Sequence, residues 1–442
     1  MAHNENEAMS DMPRYHLLRA LQSRNYRLFF TGQGISLTGT LMQQVAMGWL
    51  VYRLTGSALL LGVIGFVSHI PTFVLAPLAG VLSDRWDRRR IIIVTQSLSL
   101  LQATLLALFV LSHQIQVWQI IAISSLLGLI NAFDFPVRQS FVVDLVERKE
   151  DLGNAIALNS TMYNSARLIG PSVAGILVAT IGEGYCFLIN AASYLAVIVA
   201  VTLIRTETVK PTEGNRDILA ELAEGFGYAF GFRPIRSILA LLGLIGLMGM
   251  SYNVLLPIFA KDILGGGPQT YGFLMTAVGV GSLACTFYMA SRRSVLGLGR
   301  IVGASAALFG TGLICFALSR NLTLSLFFLA LSGVGAMAHS ASSNTIIQTI
   351  VEDDKRGRVM SLYTMLYSGT TPIGNLMSGA VAEWIGSPAT LLICGISCLA
   401  GGVLFACRLH MVRDGIRPIY RSMGIIPAVP TVIQESRVSQ ET

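Results

Sequence analysis

The chain has 442 residues, of which 53% are hydrophobic and 12% are charged, whereas a soluble domain carries about 25% charged residues. With a mean hydropathy of +0.63, it cannot cover an aqueous surface and must face lipid over most of its length. The net charge of +7 does not indicate a nucleic-acid partner, because the basic residues form short clusters between apolar runs.

Apolar runs long enough to span a bilayer, about 20 residues each, recur along the chain. The first half is predicted to span at Arg27–Val51, Ala58–Leu82, Ile91–Leu111, Val117–Val137, Asn154–Ile181 and Tyr185–Ile204. The second half is predicted to span at Ile238–Ala260, Tyr271–Ala290, Ile301–Leu318, Leu322–Ile347, Val359–Trp384 and Ala389–Leu409. We therefore predict an all-α membrane protein with twelve transmembrane helices.

The longest connection between spans divides the twelve helices into two bundles of six. We expect a polar N-terminal segment (1–26), a first bundle (27–204), a linker (205–237), a second bundle (238–409) and a mostly disordered tail (410–442). Apolar residues at helical spacing predict a short interfacial helix over Asp217–Phe230.

Lys and Arg residues predict the orientation. If the N-terminus is inside, only Arg53, Lys261 and Arg320 fall in outer loops, and Arg167 falls within a span. Because basic residues accumulate on the cytoplasmic side, both termini are expected there.

The two halves show a weak internal repeat at a shift of 204 residues, which lays the fifth span on the eleventh. Gly175 then meets Gly379, and Tyr163 meets Tyr367. Gly153 and Gly182 also meet glycines. Transporters are commonly built from such repeats, with the substrate path between them.

The end of the second span reads Gly80-Val-Leu-Ser-Asp84-Arg85-Trp-Asp87-Arg88-Arg89-Arg90. This resembles the signature of the major facilitator superfamily, although Asp87 stands where glycine is usual. The resemblance implies that Asp84 accepts hydrogen bonds from the start of the eleventh helix, a site that favours an anion.

Asp134, followed by Arg138, is the acid at the end of the fourth span that we expect to pair with Arg85 and Arg88. Together with Gly80 and Asp84, these residues would close the cytoplasmic side as a latch. The alternative is that the arginines only set the topology.

The fifth span contains Ala166-Arg-Leu-Ile-Gly170-Pro171-Ser-Val-Ala-Gly175. It resembles the antiporter motif of the superfamily, which implies export. Small residues at this spacing also allow plain helix packing, which is the alternative interpretation.

Arg167 lies roughly 20 Å along the fifth helix and therefore deep in the membrane. A buried arginine costs at least a few kcal/mol unless it is paired, so we predict a functional group that faces a wet cavity. It could hold an anionic substrate group or a partner carboxylate. The alternative is a structural arginine bonded to helix carbonyls.

Other polar residues inside the spans are candidates for the lining of the cavity, although interhelical hydrogen bonding would explain them as well. The predicted cavity set is Gln33, Thr40, Gln44, His69, Asn131, Tyr163, Asn164, Arg167, Tyr252, Asn253 and His339. Asp134, His69 and His339 are the titratable candidates for proton coupling.

The run Asn25-Tyr-Arg-Leu-Phe-Phe, the segment Pro136-Val-Arg-Gln and the segment Arg356-Gly-Arg-Val-Met-Ser resemble one branch of this superfamily. That branch holds the enterobactin exporter and the macrolide and tetracycline efflux proteins. It implies a monomer in the bacterial cytoplasmic membrane that exports amphipathic small molecules.

The resemblance further implies a proton or other ion gradient as the energy source, and no cofactor or metal. The alternatives are an ion-coupled importer of a metabolite or, from a different class, a membrane enzyme or scaffold. No phosphate-binding loop or His-Glu-x-x-His motif is present in the sequence to favour an ATP-driven pump or a metalloenzyme.

Overall fold

A computed structural model describes residues 18–146, 148–204, 226–292 and 294–426, without the side chains of residues 76–85, 149 and 353. Within these ranges the fold is helical and contains no strand. The main helices of the first half are α1 (Arg24–Thr55), α2 (Ala58–Arg85), α3 (Arg88–Leu111), α4 (Val117–Asp144), α5 (Leu152–Ile181) and α6 (Glu183–Leu203). Those of the second half are α7 (Arg233–Ile263), α8 (Pro268–Ser291), α9 (Leu298–Leu318), α10 (Leu322–Ile350), α11 (Asp353–Ile385), α12 (Ser387–Cys407) and α13 (Leu409–Ser422).

Ten of these helices are long and apolar enough to cross a membrane, namely α2 to α10 and α12. They correspond to ten of the twelve predicted spans, so the protein is a multi-pass membrane protein. Helices α1 and α11 have 32 and 33 residues but are more polar. That they also span the membrane stays a prediction.

Local sequence explains several helix ends. The Ser23 hydroxyl accepts a hydrogen bond from the Tyr26 backbone N–H and begins α1, and Gly56, with a φ of 62°, ends it. Asp87 has a φ of −61°, so glycine is not required there, and its carboxylate accepts from the Arg89 N–H to begin α3.

Each half packs mainly on itself. Helix α1 contacts α5 and α6, α2 contacts α4, and α3 contacts α4 and α6. In the second half, α8 and α9 pack against α10, α9 packs against α12, and α11 packs against α7 and α12. The two groups meet chiefly where α2 crosses α11 and where α5 crosses α8.

The start of the described chain is fastened to the start of α5. Arg19 forms an ion pair with Asp151, and the Ala20 N–H donates to Asn154 Oδ1 at 3.0 Å. The Tyr26 hydroxyl donates to the Ala155 carbonyl at 2.9 Å. These bonds hold the beginning of α1 in place within the first group of helices.

The C-terminal segment differs from the prediction of a mostly disordered tail. Residues Leu409–Ser422 form α13, whose buried face carries Val412, Ile416 and Tyr420 at a spacing of four. This face packs against α7. The prediction failed here because only every fourth residue of the buried face is apolar and many of the residues between are basic. Such a sequence has little visible helical periodicity. Of the predicted interfacial helix, residues 217–225 lie outside the described residues, whereas residues 226–231 are helical.

Candidate functional site

The two helix crossings between the halves share one geometry, in which a glycine of one helix faces a glycine of the other. On α2, a Cβ added to Gly62 would lie 2.7 Å from the Asn375 carbonyl and 3.0 Å from the Gly379 Cα. On α8, a Cβ added to Gly272 would lie 2.5 Å from the Pro171 carbonyl. The backbones therefore touch directly, as small residues allow in membrane helices.

These crossings explain the repeat in the sequence. Gly175 on α5 and Gly379 on α11 are the two glycines related by the shift of 204 residues, and each faces the glycine of its partner helix. Gly182 and Gly386 end the same two helices with φ values of 88° and 83°, which glycine adopts without strain. Both crossings lie towards the end of the molecule that carries loops 55–58 and 263–268, which we call the closed end.

Polar contacts lock the closed end across the α2–α11 crossing. Glu383 Oε2 accepts hydrogen bonds from the Ser57 hydroxyl and the Leu59 backbone N–H, each at 3.0 Å. Leu59 stands in the first turn of α2, where unpaired N–H groups favour an anion. Nearby, the Tyr52 hydroxyl bonds to Asp262, and Lys261 Nζ lies 5.3 Å from the centre of the Tyr52 ring.

At the α5–α8 crossing, the halves are joined by a hydroxyl pair instead. Ser172 Oγ and Thr276 Oγ1 are 2.7 Å apart. One turn further from the closed end, a Cβ on Gly279 would lie 3.1 Å from the Arg167 carbonyl, so the glycine lets α8 approach α5 at this point.

Arg167 lies midway along α5 and is half-buried. Its guanidinium carbon is 6.0 Å from the centre of the Tyr163 ring, and that ring is 45% exposed. Among the residues whose side chains are described, no carboxylate is paired with Arg167.

Helix α7 is irregular near its middle. It forms a π-helical segment at Ile245–Gly249, passes through a turn at residues 250–251 and resumes as an α-helix at Tyr252. A Cβ on Gly246 would lie 2.8 Å from the Tyr367 carbonyl, so α7 packs closely on α11 at the irregularity. Such π-segments are frequent at functional sites.

Asp134 occupies the core of the first group of helices and is 2% exposed. Its carboxylate accepts from Thr95 Oγ1 at 2.6 Å, from Gln96 Nε2 at 2.9 Å and from Arg138 Nε at 2.6 Å. The predicted ion pair between Asp134 and Arg88 is wrong, because Arg88 Nη1 binds both carboxylate oxygens of Asp144 at 2.9 Å. Helix α4 continues beyond the predicted end at Val137, which leaves Asp134 within the helix.

The other latch and packing residues have the following places. Gly80, Asp84 and Arg85 lie on α2, but their side chains fall outside the described part of the structure. Ala166, Gly170, Pro171 and Gly175 are buried, and Gly170 faces Leu41 and the Thr38 carbonyl on α1. These residues make contacts between helices, as expected from the alternative interpretation that the motif serves helix packing.

Three predicted cavity residues are buried or half-buried. Gln33 is buried, and Thr40 Oγ1 lies 3.3 Å from the Tyr194 hydroxyl on α6. His339 has no exposed surface, and its Nδ1 lies 3.2 Å from the Val302 carbonyl on α9. That these three residues line a cavity stays a prediction, because helical spacing alone does not show which neighbour a face meets.

The remaining candidates are exposed or half-buried, except for Tyr252. Gln44 and His69 are exposed, and His69 Nδ1 lies 3.0 Å from the Gly65 carbonyl. Asn131 is half-buried. Asn164 Nδ2 donates to the Ser160 carbonyl, and Asn253 Nδ2 donates to the Met250 carbonyl.

Sequence reasoning missed Tyr367, Asp144 and Glu383. Tyr367 had a signal, because the repeat aligns it with Tyr163. Asp144 and Glu383 lie near helix ends, where acidic residues are common. No feature of the sequence identifies their partners. In the part of the chain that the structure describes, no group of three His, Cys, Asp or Glu residues could hold a metal ion.

Comparisons with known proteins agree with this architecture. The chain is 26% identical to the staphyloferrin A transporter of Staphylococcus aureus (strain NCTC 8325 / PS 47), over 86% of this chain and 95% of that protein. It is 24% identical to macrolide efflux protein A of Streptococcus pyogenes, over 85% and 95%.

A solved structure of a POT family transporter in complex with 5-aminolevulinic acid has the same fold, with a TM-score of 0.71 and 10% identity. The alignment covers 88% of this chain and 97% of that one.

The MFS_3 family model, described as transmembrane secretion effector, matches residues 17–418. The relatives are named transporters, and the protein is therefore a transporter and not an enzyme. The chain belongs to the MFS_3 family and to the efflux branch of the major facilitator superfamily.

Proposed function

We propose that the protein is a proton-coupled exporter of amphipathic small molecules in the bacterial cytoplasmic membrane. It would act as a monomer without a cofactor. In this proposal, α1 and α11 complete twelve spans, both termini are cytoplasmic, and the closed end faces outwards. Export is supported by the related macrolide efflux protein and by the resemblance of α5 to the antiporter motif.

The observation that carries the proposal is the construction of the two crossings. The groups of helices meet there through bare glycine backbones and a few hydrogen bonds, for example Gly62 with Gly379 and Gly175 with Gly272. Transporters alternate access by rocking one repeat against the other around a fixed site, and these crossings suit that movement.

We assign the outer lock to Glu383 and the inner latch to Asp84. Helices α2 and α11 run in opposite directions along each other, so the end of each helix lies beside the start of the other. Glu383 near the end of α11 accepts from the first turn of α2. Asp84 near the end of α2 would accept from the start of α11, so one lock forms when the other opens.

Asp134 is our candidate for the proton-binding group. It is a buried carboxylate inside a helix that crosses the membrane, and Arg138 balances its charge. A proton on Asp134 would release Arg138, and such a change in a buried pair can shift the packing of α3 on α4. Proton binding would thereby be linked to movement within the first group of helices.

The test uses purified protein in vesicles with an imposed pH gradient and a panel of amphipathic dyes that includes ethidium. We expect gradient-driven accumulation by the wild type and a loss of more than tenfold in Asp134→Asn. Asp414→Asn is the matched control, because Asp414 is exposed on α13 and its nearest cation, Arg417 Nη1, is 4.0 Å away. Equal transport by both variants would exclude Asp134 as the coupling group, and accumulation in the reverse direction would indicate an importer.

A further inference from the structure

We propose that buried water completes a chain of hydrogen bonds from Asn190 to Asp134 in the core of the first group of helices, and that this chain stabilises the ionised form of Asp134. The inference deepens the proposed function, because it rests on Asp134 as the proton-binding group. The chain itself stands on burial and hydrogen-bond geometry. In this proposal, Gln96 and Gln102 are positioning residues for the carboxylate.

The first part of the chain joins three helices through buried amides. On α6, Asn190 Nδ2 donates to Gln43 Oε1 of α1 at 2.7 Å. Gln43 Nε2 in turn donates to Gln102 Oε1 of α3 at 3.2 Å. All three side chains are buried. Each amide nitrogen thus donates to the oxygen of the next amide, and the direction of donation runs towards α3.

The last part of the chain ends on the carboxylate. Gln96 Nε2 on α3 donates to Asp134 Oδ1 at 2.9 Å, in the same direction as the amides before it. Thr95 Oγ1 donates to the same oxygen at 2.6 Å. Hydrogen bonds donated to a carboxylate favour its ionised form. A row of donors aligned behind Gln96 strengthens this effect, because hydrogen bonds in a chain polarise one another.

Two buried amide atoms lie between these parts of the chain. Among the described residues, neither Gln102 Nε2 nor Gln96 Oε1 has a hydrogen-bond partner. Gln102 has no exposed surface, and Gln96 is 2% exposed. The first atom is a donor and the second is an acceptor, so the two are complementary. Since buried polar groups are nearly always satisfied by protein or by ordered water, these atoms indicate bound water.

The spacing along α3 suits such water. Gln96 and Gln102 are six residues apart (102 − 96 = 6), which is about 9 Å at a rise of 1.5 Å per residue. Two water molecules in a row span this distance with three hydrogen bonds of about 2.8 Å each. Ser99 lies midway on the same face of the helix and is buried, so its hydroxyl is a further partner for the water.

The corresponding helix of the second half has no such amides. Helix α9 is the third long helix of that half, and it packs against α10 and α12 as α3 packs against α4 and α6. Within Leu298–Leu318, all of which is described, Ser305 is the one buried polar residue. Its hydroxyl donates to the Val302 carbonyl of its own helix at 3.2 Å. The fold therefore does not require the amides, which occur in the half that holds Asp134.

Few titratable or charged groups are bonded to this chain. Arg138 on α4 forms an ion pair with Asp134 at 2.6 Å. On α6, the Tyr194 hydroxyl accepts from Asn190 Nδ2 at 3.3 Å. The described partners on α1 and α3 are neutral amides and hydroxyls. Arginine keeps its proton and tyrosine ordinarily titrates near pH 10, so Asp134 is the group of this core whose charge can change near neutral pH.

The experiment titrates Asp134 by infrared spectroscopy in the purified full chain in detergent, with no gradient. Loss of a band in Asp134→Asn assigns the protonated carboxyl group. Gln96→Met should raise the proton affinity of Asp134 about tenfold, because it removes a hydrogen bond to the ionised form. Gln102→Met should raise this affinity about threefold, since Gln102 acts only through the chain.

Thr104→Val is the matched control on α3. The Thr104 hydroxyl donates to the Leu100 carbonyl of its own helix at 2.8 Å, so the proton affinity of Asp134 should not change. Gln102→Asn keeps an amide on a shorter side chain and should give an intermediate affinity. Size-exclusion profiles identify any variant that fails to fold, and Gln102→Asn carries the test if Gln102→Met is one of them.

A high-resolution crystal structure of the wild type tests the water directly. We expect water within hydrogen-bond distance of Gln102 Nε2 and of Gln96 Oε1, and we expect its loss in Gln102→Met. Protein atoms in place of water on both amides would overturn the inference. So would an unchanged proton affinity in Gln102→Met, or failure of Asp134 to titrate in any variant.

None of these results depends on transport. A wild type that titrates as expected but shows no gradient-driven transport would keep this chain and lose the proposed function. Gradient-driven transport by the wild type, together with an unchanged proton affinity in Gln102→Met, would keep the proposed function and lose the chain.

Discussion

The α2–α11 and α5–α8 crossings are two copies of one interface that differ in what surrounds the glycines. At α2–α11, Glu383 binds the first turn of α2. The equivalent position on α5 is Ala179, because 383 − 204 = 179, and it has no carboxylate. At α5–α8, the neutral pair Ser172 and Thr276 joins the helices, and Arg167 lies beside it.

The comparison separates two tasks that a transporter must perform. The charge at α2–α11 lies at the end of the molecule, where it can hold or release the closed end. The charge at α5–α8 lies in the middle, where it can meet a substrate. The two crossings therefore share a framework of glycines and differ in the charged group beside each, a carboxylate in one and a guanidinium in the other.

The largest effect is expected from filling either crossing. Gly62→Val and Gly272→Val would each drive a side chain into the backbone of the partner helix, at the distances of 2.7 and 2.5 Å given for a Cβ alone. Overpacking of this kind costs about 1–3 kcal/mol and would prevent the closed end from forming. We expect transport by reconstituted protein to fall by more than tenfold.

Gly153→Ala and Gly357→Ala are the controls for these variants. They are also related by the repeat, and among the described residues outside their own helix no atom lies within 4 Å of a Cβ at either position. Both should transport at wild-type rates. If only one of the two valine variants lost activity, the crossings would not be equivalent parts of the closing movement.

An intermediate effect is expected from the lock. Glu383→Gln removes the charge that the first turn of α2 favours, at a cost of about 1 kcal/mol. The equilibrium constant for forming the closed end should fall about fivefold, measured as faster labelling of a cysteine introduced at position 55. Unchanged labelling would show that Glu383 does not hold this end.

The lock can also be moved to the other crossing. Ala179→Glu in a Glu383→Gln background would place a carboxylate near the first turn of α8, the counterpart of the first turn of α2. We expect it to restore about half of the lost protection against labelling. Ala179→Gln in the same background is the control, and restoration by that variant would mean that charge is unimportant.

The smallest effect is expected from the hydroxyl pair. Ser172→Ala removes one neutral hydrogen bond, which is worth about 0.5–1.5 kcal/mol, and Ser172 Oγ can also donate to the Leu168 carbonyl of its own helix. Transport should fall no more than about twofold. A larger fall, matched by Thr276→Val, would assign locking to the α5–α8 crossing as well.

The sequence alone predicted the helical membrane fold, ten of the spans and the repeat. Hydropathy, glycine spacing and the position of a charge within an apolar run are local properties, and each is visible without a structure.

Partners distant along the chain could not be predicted. Glu383 binds Leu59 across 324 residues, and no local pattern relates the two. Asp134 was recognised as an important acid but was assigned the wrong arginine, because the predicted fourth span stopped seven residues before the observed end of α4 (144 − 137 = 7). The contact between His339 and the Val302 carbonyl on α9 likewise joins residues 37 positions apart.

The bonds that fasten residues 19–26 to the start of α5 set an order of events during synthesis. Ala20 and Asn154 are separated by 134 positions, and Tyr26 and Ala155 by 129. At translation rates of about 5–20 residues per second, the beginning of α1 waits on the order of ten seconds for its partners to leave the ribosome. The first of the described long helices to be synthesised is therefore among the later ones to reach its final position.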